Sequence, residues 1–504
     1  MESLPVELLI EVFSHFCFHC QHPGIFPNAD LDETCSGKKS LSRLCLMSKT
    51  ICAVAQPILY HYYATGNTRI EIKLYQGYDG IAACPKKPDF LPQFVRTLTQ
   101  RPDLALNIST MQIVRGDELV GYKSQMQTIE YLFKYSVAKN LLQEPDLPNG
   151  WLDGNFAEWR VPLRKTLHLW LATLAMVLAP RLQSLLLAID HNAAFSDLEC
   201  SPHLRLPSLR TLGLVGNLKD YHFFSPRALY AAAPNLETIY TCDGEGWYTM
   251  VPQSSYNLEC KLGLPNLKRL AVSDFLPDHL GNLLLHSPKL EDLEYYWDDD
   301  HNFIINDLAD MLRPVQKTLK RLCISYLPRS TDNIPVDPFP GPIVYPHAWY
   351  PPLRTLQDFP NLEELSIDCH FLYRPGDREH ADRLVTLLPV SIRKLRISYL
   401  YLGIHMSLSQ LAERTPESFP LLKDVTIGVA ERTDPNYDSG IEKTLGLGEL
   451  FEKSGIRFSR KKDLLGADAR TLIPGAMPGS KLVSIPRVMD EVEDLELTDG
   501  QWYD

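Results

Sequence analysis

The chain has 504 residues, 45% hydrophobic and 22% charged, the balance of a folded protein too long for one ordinary compact core. A net charge of −12 argues against a general nucleic-acid or anionic-membrane binder. Eleven cysteines without framework spacing, and an acidic start (Glu2, Glu7, Glu11) in place of a basic leader, argue against a disulfide-stapled secreted protein. Reduced thiols, in cytoplasm or nucleus, are therefore expected.

The first predicted element is a helix over LPVELLIEVFSHF, residues 4–16. Leu8, Leu9, Val12, Phe13 and Phe16 recur on one helical face, and Pro5 suits the first helical position, where its missing N–H costs nothing. Burying each large apolar side chain is worth roughly 1.5–3 kcal/mol, so this face needs a cover: a partner, or the rest of the chain. HFCFHCQH, residues 15–22, follows. His15, Cys17, His19, Cys20 and His22 are residue types that zinc favours, but a structural site needs a second well-spaced pair, and only Cys35 is near in sequence. These residues are therefore read as a helix end and a loop, with no metal or cofactor assigned.

SLSRLCLMSKTICAVAQPILYHYY, residues 40–63, supplies Leu41, Leu44, Met47, Ile51, Val54, Ile58 and Leu59, with breaks expected near Ser48–Lys49 and at Pro57. Three such helices form too small a core to cover all the apolar side chains they display. Residues 66–165 read as a connecting region and N-terminal repeat cap. Ile108, Met111 and Ile113 there have the spacing of a strand that opens a repeat array. TLHLWLATLAMVLAP, residues 166–180, is shorter than the roughly 20 apolar residues of a membrane span, and Lys165 and Arg181 bracket it; it reads as a buried helix.

From residue 166 to 460 a unit close to Pro-x-Leu-x-x-Leu-x-apolar keeps returning, as PRLQSLLL, PSLRTLGL, PNLETIYT, PNLKRLAV, PKLEDLEY, KTLKRLCI, PNLEELSI, VSIRKLRI and PLLKDVTI. Its first apolar residue is Leu182, Leu209, Leu236, Leu267, Leu290, Leu319, Leu362, Ile392 and Leu422, about every 30 residues. Each unit reads as a helix, a Pro punctuation and a short strand, as in DHLGNLLLHSP (278–288) and LSQLAERTP (408–416). The predicted fold is α/β: a solenoid with parallel strands inside and helices outside. A doubly wound sheet also alternates helix and strand, but the fixed period favours the solenoid. Residues 328–352 hold eight prolines and read as a loop over one rim, and residues 461–504 read as a disordered acidic tail.

The units resemble divergent leucine-rich repeats. Residues 1–65 resemble the F-box, on Leu-Pro-x-Glu-Leu-Leu-x-x-Val-Phe, then Leu-x-x-Leu-x-x-Met, then a closing Pro-x-Leu-Tyr, with a long insertion at roughly 20–39. The combination is similar to substrate receptors of SCF-type ubiquitin ligases, especially fungal ones. The resemblance implies a non-catalytic subunit whose F-box docks on a Skp-family adaptor, and through it on a cullin scaffold. Leu4, Pro5, Leu8, Leu9, Val12, Phe13, Leu44, Ile51 and Leu59 would be the docking set.

A protein target would then lie along the strands. Nine strands about 4.8 Å apart make a floor about 40 Å long, enough for a protein segment. By strand alternation Tyr240, Arg269, Asp292, Glu294, Tyr296, Trp297 and Arg321 are the expected substrate contacts. No phosphate-cradling glycine loop, G-x-S-x-G elbow or H-E-x-x-H occurs, so no catalytic residues are assigned. WDDDH, residues 297–301, reads as an acidic turn. A repeat scaffold or regulator acting outside ubiquitin transfer remains the second reading.

Overall fold

A computed structural model describes residues 4–24, 26, 32–64, 90–114, 125–142, 161–188, 204–215, 227–242, 263–273, 277–298, 308–327, 353–373, 381–398, 404–429 and 446–462. They fall into two compact units, one running to Asn266 and the other beginning at Leu267. Both are α/β, with parallel strands that follow chain order, a solenoid-like arrangement.

The first unit begins with four helices: α1 (Val6–Ser14), α2 (Phe18–Gln21), α3 (Asp32–Leu44) and α4 (Lys49–Leu59). Their shared core holds Leu9, Phe13, Cys17, Phe18, Leu41, Ile51, Val54, Ala55 and Ile58, closed by Tyr62. The break at Ser48 is as expected, and its cause is a cap: Ser48 Oγ accepts from Ile51 N at 3.2 Å. Two expectations are corrected. The insertion at 20–39 carries the end of α2 and the first half of α3. Pro57 lies inside α4 rather than ending it, because it falls in the last turn, where Tyr60 N already turns back to the Gln56 and Pro57 carbonyls. α3 passes so close to the end of α1 that a Cβ on Gly37 would sit 2.3 Å from the Phe16 carbonyl oxygen. Only glycine fits there.

Strands β1 (Tyr62–Ala64), β2 (Thr110–Val114), β3 (Ser184–Ala188), β4 (Thr211–Val215) and β5 (Thr238–Cys242) complete this unit, each parallel to the next. β1 belongs to the segment expected to be helical, so the array starts at Tyr62 and not at Ile108 or later. Helices α5 (Leu91–Gln100), α6 (Pro102–Ala105), α7 (Met126–Ala138) and α8 (Val161–Leu178) lie in the connections. α8 is the buried helix expected at 166–180: Leu167, Trp170, Leu171, Leu174, Ala175 and Met176 are all enclosed. Trp170 stacks on Phe133 of α7, ring centroids 4.2 Å apart. Among the described residues no helix is long and apolar enough to cross a membrane.

The second unit holds β6 (Arg269–Ser273), β7 (Asp292–Asp298), β8 (Arg321–Leu327), β9 (Glu364–Asp368), β10 (Lys394–Ser398), β11 (Asp424–Val429) and β12 (Arg457–Lys462), again parallel and in chain order. Every predicted strand starts two residues after its repeat's first apolar position. The register explains the period. The second leucine of each unit stacks on its counterpart: Leu185, Leu212 and Ile239 in the first unit, then Leu270, Leu293, Leu322, Leu365, Leu395 and Val425 in the second. All are buried. One isolated unit would leave that leucine in water, whereas each added neighbour covers one more.

The Asn of Pro-Asn-Leu adds a latch between repeats. Asn235 Nδ2 donates to the Pro207 carbonyl at 2.9 Å, Asn266 to Pro234 at 3.3 Å and Asn361 to Lys317 at 2.6 Å. The role of Pro as punctuation fails once. Helix Ile404–Ser418 runs through Pro416, which has no N–H for the Ala412 carbonyl one turn back. Ser454 Oγ donates to that carbonyl instead, at 2.8 Å.

Candidate functional site: an apolar helix face and a strip of buried ion pairs

The opening helix divides its apolar residues between inside and outside. Leu9 and Phe13 are 1% exposed and enter the core of the four helices, whereas Leu8 and Val12 are 46% and 44% exposed. At about 3.6 residues per turn, Leu8 and Val12 lie on one side of the buried seam and Val6 and Ile10 on the other, all of them in solvent. Leu4 and Phe16 are exposed at the two ends, as are Leu46 and Met47 in the turn between α3 and α4. Of the expected docking set, Leu4, Pro5, Leu8 and Val12 face outward. Leu9, Phe13 and Ile51 are spent on the chain's own core, and Leu44 and Leu59 are half-buried against it. The reason is periodic: a short helix cannot hide six large side chains with one narrow seam.

The expected target contacts are placed differently. β7 stands between β6 and β8 with Arg269, Asp292 and Arg321 side by side. The Arg269 guanidinium reaches Asp292 Oδ2 at 3.1 Å and Glu294 Oε1 at 2.7 Å. Arg321 Nη2 reaches the same oxygen, Asp292 Oδ2, at 2.6 Å, and Tyr296 donates its hydroxyl to Glu294 Oε2 at 3.0 Å. Asp292, Glu294 and Tyr296 are buried, as is Tyr240 in the first unit. Burial, with Glu294 beside it, pushes the Tyr296 hydroxyl well above its ordinary value, so it stays a donor. Burial and then the Glu294 charge likewise raise the neighbouring Cys323 thiol. The expectation that Tyr240, Asp292, Glu294 and Tyr296 form an open contact surface is thus corrected. Both faces of β7 are buried, Leu293 and Tyr295 on one and Asp292, Glu294 and Tyr296 on the other, and a buried carboxylate needs a paired cation. Arg269 and Arg321 keep partial exposure. The Trp297 side chain, residues 299–301 of WDDDH, the Pro-rich insertion 328–352 and nearly all of the tail 461–504 lie outside the described residues.

A third grouping joins residues that the sequence had left apart. Cys17, His19 and Cys20, at the start of α2, meet His61 at the entry to β1. His61 Nδ1 lies 3.2 Å from Cys20 Sγ and 3.9 Å from Cys17 Sγ. The two thiols share a hydrogen bond that lowers Cys20 and raises Cys17 from the ordinary value. His61 was missed because it is 41 residues beyond Cys20 and carries no local signature; its one signal is a His directly after the second apolar segment.

No family model matches this chain, and no curated protein matches it significantly.

Proposed function

We propose that this chain is the substrate-recognition subunit of an SCF-type ubiquitin ligase, with its first four helices docking on a Skp-family adaptor that links it to a cullin. The observation that carries the reading is the outer surface of α1 and its two flanks: Val6, Leu8, Ile10 and Val12 on the helix, with Leu4 and Phe16 at its ends, six large apolar side chains exposed beside a core that is already complete. Leu4, Leu8 and Val12 among them fall at positions of the motif that resembles the F-box, and the repeats behind them suit a protein target. In this reading the chain does no chemistry. The adaptor is held through helix packing and the target through the repeat units, and ubiquitin transfer belongs to the assembly.

The test is co-purification of the full chain with a Skp-family adaptor and a cullin, in parallel with Leu8→Asp/Val12→Asp. Both positions are exposed, so the double variant should unfold within about 1 kcal/mol of the parent. It should nevertheless lose adaptor and cullin together. Equal adaptor capture by parent and variant would falsify the docking face. Failure of the parent to capture an adaptor at all returns the repeat scaffold as the better reading.

A further inference from the structure

We propose that Cys17, His19, Cys20 and His61 form a structural zinc site that fastens the turn after the opening helix to the first strand. Their four ligand atoms lie within 4.8 Å of one another. A tetrahedral zinc ion with ordinary Zn–S and Zn–N bonds sets its ligand atoms about 3.3–3.8 Å apart. His61 Nδ1 stands 3.2 Å from one sulfur and 3.9 Å from the other, so closure on an ion needs shifts of less than about 1 Å. Two thiolates and two neutral imidazoles cancel the charge of Zn²⁺, which suits a half-buried place at the edge of an apolar core. Four protein ligands leave no open position, so the site is structural and not catalytic.

A second observation points to a ligand. His19 Nδ1 is buried and has no hydrogen-bond partner among the described residues. Its other nitrogen, Nε2, lies 3.0 Å from Ser109 Oγ. The Ser109 hydroxyl donates to the His61 carbonyl oxygen at 2.8 Å, so towards His19 it accepts, and the His19 proton sits on Nε2. Nδ1 is left with a lone pair, and the Cys20 thiol of the same cluster interacts with this imidazole. This is the outer arrangement of a metal-bound histidine, whose far N–H is held by a polar partner that fixes tautomer and ring plane. Ser109 serves both histidines at once, since the His61 carbonyl also accepts from the Ser109 and Thr110 backbone N–H groups at 2.9 and 3.1 Å. The backbone is shaped for the pair of sulfurs as well: the Cys17 carbonyl accepts from Cys20 N at 3.0 Å, a tight Cys-x-x-Cys turn with neither cysteine in a disulfide.

Metal content of the purified full chain, measured by plasma mass spectrometry, decides the matter. The parent should carry about one zinc per chain, and Cys20→Ser and His61→Ala should each carry less than about a tenth of that. Cys45→Ser/Cys52→Ser, outside the cluster, should keep it in full. Ser109→Ala should still bind, but with affinity lowered about 10–100-fold. Should the ligand variants fail to fold, the parent is stripped with chelator and titrated with Co²⁺. Thiolate-to-cobalt absorption and the intense visible bands of a tetrahedral site should then appear at one equivalent. A folded parent without zinc and without those bands overturns the site. So does zinc retained in Cys20→Ser, or a Cys17–Cys20 disulfide in the purified chain.

Discussion

The outer side of α1 and the strip along β6, β7 and β8 look alike in sequence, each a cluster of residue types that proteins use to bind one another. They fold into opposite states. On α1, Leu8 and Val12 remain in water because the helix has only one inward seam and Leu9 and Phe13 occupy it. On β7, Asp292 and Glu294 are enclosed, and the register delivers Arg269 and Arg321 to neutralise them. Apolar area that one seam cannot hold stays in water, whereas the charge on β7 is answered from the neighbouring strands. The difference teaches that strand alternation places a side chain on a face but does not say whether that face is open.

The largest expected effect sharpens the division within α1. Phe13→Ala removes a ring that is 1% exposed and should lower stability by about 3–5 kcal/mol, read as a fall in the thermal unfolding midpoint. Val12→Ala, one position earlier, should change that midpoint very little. Equal losses at both positions would mean that Val12 is buried in solution and that the face is not free. In the strip the expected effect is smaller. Arg269→Ala removes the guanidinium that Asp292 and Glu294 share, while Tyr296 still donates to Glu294 and Arg321 still reaches Asp292. Its guanidinium is partly solvated, so the loss should be about 2–3 kcal/mol, below that of a fully buried pair. Arg269→Met, which keeps the stem, should recover little, since the lost cation and not the lost stem is the cause.

Much of the fold was legible because it repeats. Nine strands sit where Pro-x-Leu-x-x-Leu places them, since stacking makes one leucine position obligatory in each unit. β1 was not legible. Its three residues, Tyr62–Ala64, are too few to show alternation, and only the neighbour at Thr110–Val114 makes them a strand. The apolar stripe of α1 was legible but not its division between core and solvent, because a helical stripe does not say which of its edges the core will use. The Cys/His grouping was half legible. Cys-x-x-Cys with a His between is local, while His61 and Ser109 arrive through the pairing of β1 with β2.

The smallest effect tests whether a buried backbone group can be answered from a distant element as the strip's carboxylates are. Pro416 deprives the Ala412 carbonyl of its usual donor, and Ser454, just after helix Leu447–Lys453, supplies one. Ser454→Ala should cost about 1 kcal/mol, the lower end for a buried acceptor left unmet. Pro416→Ala restores an N–H one turn along and also lifts the clash of the proline ring with that carbonyl. In the Pro416→Ala background the same Ser454→Ala change should cost close to nothing, because the carbonyl no longer depends on the hydroxyl. A double-mutant cycle by denaturant unfolding reads this as a coupling of about 1 kcal/mol. If the two changes add, the hydroxyl is a bystander and the helix tolerates Pro416 by other means. If they couple, a proline inside a helix is sustained by a side chain from the next repeat, a dependence that no local reading of either segment contains.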